Sequence, residues 1–148
     1  QDPARYTEPA VSFTANLERF VAAAREKKAF PVLITPVERR CFDGDGRLQE
    51  VEHGDYVAAM KQASKRWKVP LIDLCAMSRD KLVEAGNEKT KEWYMHLPAG
   101  QYVSHPEGLT DNTHLKYEGA VTYAGCIARG LKELGGIYEA LLLDGLDY

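Results

Sequence analysis

The 148-residue chain is 45% apolar and 28% charged, which suits one globular domain over residues 1–148 with a substantial core. A formal net charge of −3 and a pI near 5.8 give no basic field for a phosphate backbone, so nucleic acid is not an expected partner. No apolar run approaches the roughly eighteen residues needed to span a bilayer and no basic-then-apolar leader opens the chain, so a soluble protein without a membrane partner is expected.

Cys41, Cys75 and Cys126 are widely spaced and contain no C-x-x-C arrangement, which indicates neither a zinc site nor a disulfide framework. Their redox state and the compartment are left open by the count. The chain begins at Gln1 rather than Met, and a preceding segment or leader is expected to have been removed or to lie elsewhere.

Residues 1–9 form a polar, proline-bearing lead into a helix, with Pro9 where a first helical turn tolerates it. Phe13, Leu17, Phe20, Val21 and Ala24 then recur at helical spacing as a core-facing stripe. Phe30-Pro31-Val32-Leu33-Ile34-Thr35 is a short apolar run without alternation, the pattern of a parallel strand buried on both faces. Residues 37–54 form a loop-like insert, and Asp43-Gly44-Asp45-Gly46 marks a plain turn, because the oxygen ligands and flanking helices of a calcium loop are missing.

A second helix carries Tyr56, Met60, Ala63 and Trp67 inward, with Asp55 in its first turn. Val69-Pro70-Leu71-Ile72-Asp73-Leu74 repeats the strand pattern, so helix and strand alternate and an α/β fold with a parallel sheet follows. Ser78 is expected to cap a further helix closed by Gly86, with a helical turn in 87–94 and a loop over 97–110. The last long helix starts near Tyr117, turns Ala120, Tyr123, Ala124, Ile127, Leu131 and Leu134 inward and stops at Gly135-Gly136, before an amphipathic tail over 137–148. Two parallel strands cannot complete such a sheet, so the remaining strands are expected from another chain, another copy or a larger domain.

The chemistry centres on Asp111-Asn112-Thr113-His114. An acid three positions before a histidine can accept the Nδ1 proton, fix the tautomer and make the ring a general base. The competing reading is structural: Asp111, Asn112 or Thr113 caps the last helix. Position in a loop leading into a helix, where sites in open α/β sheets gather, favours chemistry.

His105, Glu107, Asp111 and His114 share no metal-ligand spacing, and neither a metal nor a cofactor is expected. His53 and His96 read as surface or loop residues, and Arg39-Arg40 as a solvated or salt-bridged loop start, with binding of a substrate carboxylate as the minor alternative. A nucleophile is harder to find. Ser12 and Ser64 lie in helical patterns and Ser78 at a cap, while Ser104, in a loop, lacks the glycine-flanked strand-to-helix turn of a nucleophilic serine. Cys41 and Cys75 read as buried thiols.

The ordered set Pro31-Val32-Leu33-Ile34-Thr35-Pro36-Val37-Glu38-Arg39-Arg40, Gly54-Asp55-Tyr56, Val69-Pro70-Leu71-Ile72-Asp73-Leu74 and Asp111-Asn112-Thr113-His114 with Gly119-Ala120 resembles the GDSL/SGNH hydrolases, in their rhamnogalacturonan acetylesterase-like branch. The resemblance implies a flavodoxin-like three-layer α/β/α sandwich, present here as an incomplete C-terminal portion. It also implies a Ser-His-Asp mechanism on an acetylated pectin-type polysaccharide or other ester, with Asp111 as orienting carboxylate and His114 as general base. The family's serine, glycine and asparagine blocks are not in this sequence, and Asp2 to Pro9 resembles the stretch after the asparagine block, so an N-terminal segment or a partner chain is expected to supply them. The resemblance favours a secreted or periplasmic location. Two other readings are a non-catalytic relative that binds carbohydrate or a partner, and an assembly subunit that completes its sheet with another chain.

Overall fold

The computed structural model describes residues 7–50 and 53–142. The resemblance of Asp2 to Pro9 therefore falls largely, and the tail over 137–148 partly, outside the described residues. The elements are a π-helical turn at Pro9–Phe13, α1 (Thr14–Glu26), β1 (Leu33–Ile34), α2 (Gly54–Trp67), β2 (Leu71–Ile72), α3 (Leu74–Thr90), β3 (Tyr94–Leu97), β4 (Leu109–Leu115), α4 (Tyr117–Leu134) and α5 (Gly136–Glu139). They divide into two compact units, residues 1–36 with 52–73 and residues 37–51 with 74–148.

The first unit is built on helix and strand in alternation. β1 and β2 pair in parallel, Leu33 opposite Leu71 and Ile34 opposite Ile72, so the fold is α/β as the alternation of patterns requires. Val21 of α1, Leu33, Met60 and Ala63 of α2 and Val69 form the core, with Phe13, Leu17, Trp67 and Leu71 against it. Phe20 departs from the expected stripe and is 74% exposed. It sits about 100° around α1 from Val21, off the line through Phe13, Leu17 and Val21 that meets the core. β1 also departs from expectation, since Leu33 is buried but Ile34 and Phe30 are exposed, so only one of its faces is covered among the described residues. Asp73, just past β2, accepts a hydrogen bond from the Thr35 hydroxyl at 3.1 Å and pairs with Lys61.

The second unit holds what spacing did not reveal. β3 and β4 pair antiparallel across residues expected to be a helical turn and a loop. α3 starts at Leu74, so Ser78 is inside the helix rather than at its cap. Its hydroxyl donates to the Leu74 carbonyl at 2.6 Å and accepts the Glu38 N–H at 2.9 Å, both buried. Replacing Ser78 by alanine leaves that N–H without its acceptor, and a loss of about 1–3 kcal/mol is expected in urea unfolding.

Gly86 interrupts α3 at φ 78° and ψ 172°, a conformation other residues rarely adopt, so the expected stop is real and Asn87–Thr90 forms a separate turn. The core of this unit gathers Leu74, Leu82, Tyr94, Tyr123 and Cys126. On α4, Tyr123 is buried and Ile127, Leu131 and Leu134 are partly buried as expected, but Ala120 and Ala124 are exposed and Gly119, Cys126, Ala128 and Gly130 face inward instead. The Tyr94 hydroxyl donates to the Glu38 carbonyl at 2.6 Å and lies 3.1 Å from that of Tyr123, which leaves Tyr123 as the donor in the pair. Burial pushes the Tyr94 phenol up to about 12 and raises Tyr123 as well, so both stay neutral.

Candidate active site

Asp111 to His114 lie within β4, not in a loop before α4. The ladder pairs Tyr94 with Leu115 and His96 with Thr110, so four residues, Asp111 to His114, stand opposite Met95 alone. Such an irregularity arches the strand and re-aims its side chains while the pairs on either side hold register. Asp and Asn suit the arch because their short polar side chains can bond nearby backbone.

Asp111 does so with one oxygen. Oδ1 accepts the N–H of Thr113 at 2.7 Å and that of His114 at 2.9 Å, while Oδ2 lies 2.7 Å from Nδ1 of His114. The helix-capping reading fails at this point, because these bonds stay within β4 and the N-cap of α4 is Lys116, which has no side-chain cap bond. The three bonds hold the Asp111 carboxyl down at about 2, those from His114 contributing most.

The carboxylate is therefore ionised when the imidazole is neutral, which directs the Nδ1 proton toward Oδ2 and leaves Nε2 as a lone-pair acceptor. Asp111 keeps 25% of its side chain exposed and His114 77%, so the ring presents that acceptor outward.

A depressed carboxyl adds stability that is fully present above its ordinary value of 3.8 and is lost as pH falls through about 2. The stability difference between the protein and Asp111→Asn, followed by urea unfolding, is expected to shrink as pH falls from about 4 toward 2.

Arg40 and His96, placed by sequence on the surface, reach this arch. Arg40 is 4% exposed and not a solvated loop residue. Its Nε bonds the Thr90 hydroxyl at 3.1 Å, its Nη1 the side-chain oxygen of Asn112 at 3.0 Å, and its Nη2 both the carbonyl and the side chain of Asn87. Its backbone N–H also donates to the Asn112 carbonyl at 3.0 Å. Burial lowers the Arg40 guanidinium from its ordinary value, opposed by the charge of Glu88. His96 Nε2 lies 2.8 Å from the same Asn112 side-chain oxygen. An open cleft of about 640 Å³ beside the arch is lined in part by Arg40, His96, Thr110, Asn112 and Lys116.

The other sequence candidates do not join this cluster. Ser104 Oγ bonds Nδ1 of its neighbour His105 at 2.9 Å, Ser64 bonds the Val69 carbonyl, Ser12 bonds Glu8, and Ser78 is buried in α3. Among the described residues the hydrogen bonds of the His114 ring run to Asp111, and no serine reaches it. His53 stands at the N-cap of α2, and no group of three His, Cys, Asp or Glu side chains gathers for a metal among the described residues. Asp43 accepts the N–H groups of Asp45 and Arg47, closing the plain turn. The three cysteines form no disulfide with one another.

No family model matches the chain. The rhamnogalacturonan acetylesterase RhgT of Bacillus subtilis strain 168 is 38% identical over 131 residues, covering 88% of this chain and 56% of that protein. The probable rhamnogalacturonan acetylesterase YesY of the same organism is 40% identical over 133 residues, covering 90% of this chain and 56% of that protein. The crystal structure of the YxiM protein of Bacillus subtilis superposes with a TM-score of 0.73 over 93% of this chain and 35% of its own, at 23% identity, a likeness of fold. The chain spans about half the length of the curated relatives it matches, and those relatives support its place in the rhamnogalacturonan acetylesterase-like branch of the GDSL/SGNH hydrolases.

Proposed function

We propose that this chain carries the base and its orienting acid for a serine esterase that removes acetyl groups from a pectin-type polysaccharide. The observation that carries the reading is the 2.7 Å contact between Asp111 Oδ2 and His114 Nδ1 on an arch that turns the ring outward. In the proposed cycle, His114 Nε2 takes the hydroxyl proton of a serine as its oxygen attacks the acetyl carbonyl. It returns that proton to the departing sugar oxygen, then takes one from the attacking water and gives it to the serine oxygen as acetate leaves. Asp111 remains ionised and stabilises the imidazolium formed in each half-reaction. The activity named for the relatives RhgT and YesY supports an acetylated substrate.

The serine and the oxyanion donors belong to a segment or partner chain outside these 148 residues, a reading supported by the four serines that make their bonds elsewhere. Phe30 and Ile34 favour the same reading, because they leave apolar surface exposed at β1 where a further strand or helix can cover it.

Acetate release from acetylated rhamnogalacturonan tests the proposal. The full-length protein is expected to turn over and to lose that activity on His114→Ala, and the 148-residue chain alone is expected to be inactive. Strong turnover by the isolated chain, unchanged on adding the segment and abolished by His114→Ala, would overturn the divided site. Sugar binding without hydrolysis by the full-length protein, surviving His114→Ala, would establish the binding-relative reading instead.

A further inference from the structure

We infer that Arg40 and His96 are positioning residues for His114, acting through Asn112 at the centre of the arch. This rests on the proposed role of His114. The local bonds of Asp111 set the acid against the base, but they do not anchor the four-residue excursion to the rest of its unit. Asn112 does that. Its carbonyl oxygen holds the Arg40 N–H, and its side-chain oxygen holds both Arg40 Nη1 at 3.0 Å and His96 Nε2 at 2.8 Å.

The chemistry of the three groups fixes the direction of each bond. A guanidinium has donors only, so the Asn112 atom facing it is the oxygen. That oxygen can only accept, so His96 must donate and its Nε2 carries a proton. His96 is thereby confined to a form protonated at Nε2, while His114 is directed to the form protonated at Nδ1.

Arg40 is itself immobilised by Thr90 and Asn87, so Asn112 is tied to a buried cation with little freedom to move. Asn112 is two residues from His114, and a shift of the arch would move the imidazole away from the serine's proton. A misplacement of the order of 1 Å can cost about a hundredfold in rate.

His96 provides the cleaner test, because glutamine can present an N–H near the position of Nε2 and leucine cannot. In the full-length protein, His96→Leu and Asn112→Ala are expected to lower kcat for acetyl-ester hydrolysis by about tenfold to a hundredfold, with KM little changed. His96→Gln is expected to restore most of the loss. The downfield proton resonance of the His114 Nδ1–H, identified by its disappearance in His114→Ala, is expected to broaden or vanish in His96→Leu and to persist in His96→Gln. Thermal melts of each variant separate a displaced arch from an unfolded protein.

If kcat and the resonance are unchanged in His96→Leu and Asn112→Ala, or if glutamine behaves as leucine does, the inference is overturned. If His114→Ala retains esterase activity, the proposed function fails by itself, and the resonance still reports whether His96 and Asn112 hold the arch.

Discussion

Replacing His114 by alanine in the full-length protein is expected to lower kcat for acetyl-ester hydrolysis by about 10⁴-fold or more, measured as acetate release at saturating substrate. Without the imidazole, the serine proton has no acceptor at the moment of attack, and the leaving oxygen has no donor. Substrate binding is expected to survive because the loss lies in proton transfer.

Asp111→Asn is expected to cost about 10⁴-fold as well, by a different route. The asparagine oxygen can still accept the N–H groups of Thr113 and His114 in place of Oδ1, so the arch keeps its shape. The amide nitrogen then replaces Oδ2 and offers a proton to Nδ1, which favours the tautomer protonated at Nε2. That tautomer cannot receive the serine proton. Asp111, whose carboxyl is held at about 2, is expected to contribute no acid limb to the kcat/KM profile above about pH 4.

Gly119→Ala is the expected stability counterpart, with a loss of about 3 kcal/mol or more in urea unfolding and a matching fall in soluble yield. A Cβ at this position would meet the Trp93 carbonyl oxygen at 2.3 Å and its carbonyl carbon at 2.9 Å. These are backbone atoms just before β3, and the same oxygen accepts the Lys116 N–H at 2.9 Å. Relief would require α4 to lift from the start of β3 and would break this bond, which helps place Leu115 opposite Tyr94. The change is therefore expected to reach the arch, and residual folded protein should show reduced kcat.

Sequence patterning located the helices because 14 residues in α2 and 18 in α4 give the apolar stripe several turns over which to repeat. It placed β1 and β2 because each is an apolar run entered from a helix. It missed β3 and β4 for a physical reason. β4 reads Leu-Thr-Asp-Asn-Thr-His-Leu, with an Asp-Asn pair that strands disfavour in its middle, and its arch breaks the period of two.

The contact between Asp111 and His114 was legible because the two side chains are three positions apart. Arg40 and His96 were not: Arg40 meets Asn112 across 72 positions and Thr90 across 50. Local spacing carries no trace of such partnerships. The signal available was the adjacent pair Arg39-Arg40 at the start of a loop. Ser78 illustrates the converse error, since a residue type suited to caps is buried inside α3 to satisfy the distant Glu38 N–H.

Because Asp111 uses separate oxygens for backbone and imidazole, the two duties can be read apart by amide hydrogen exchange. The Thr113 and His114 amides owe their protection to a side chain rather than to a neighbouring strand. They should remain slow to exchange in Asp111→Asn and become fast in Asp111→Ala, while the Lys116 amide keeps its bond to the Trp93 carbonyl in both. Shape without catalysis in the first variant and loss of both in the second would separate the acid's part in building the site from its part in running it.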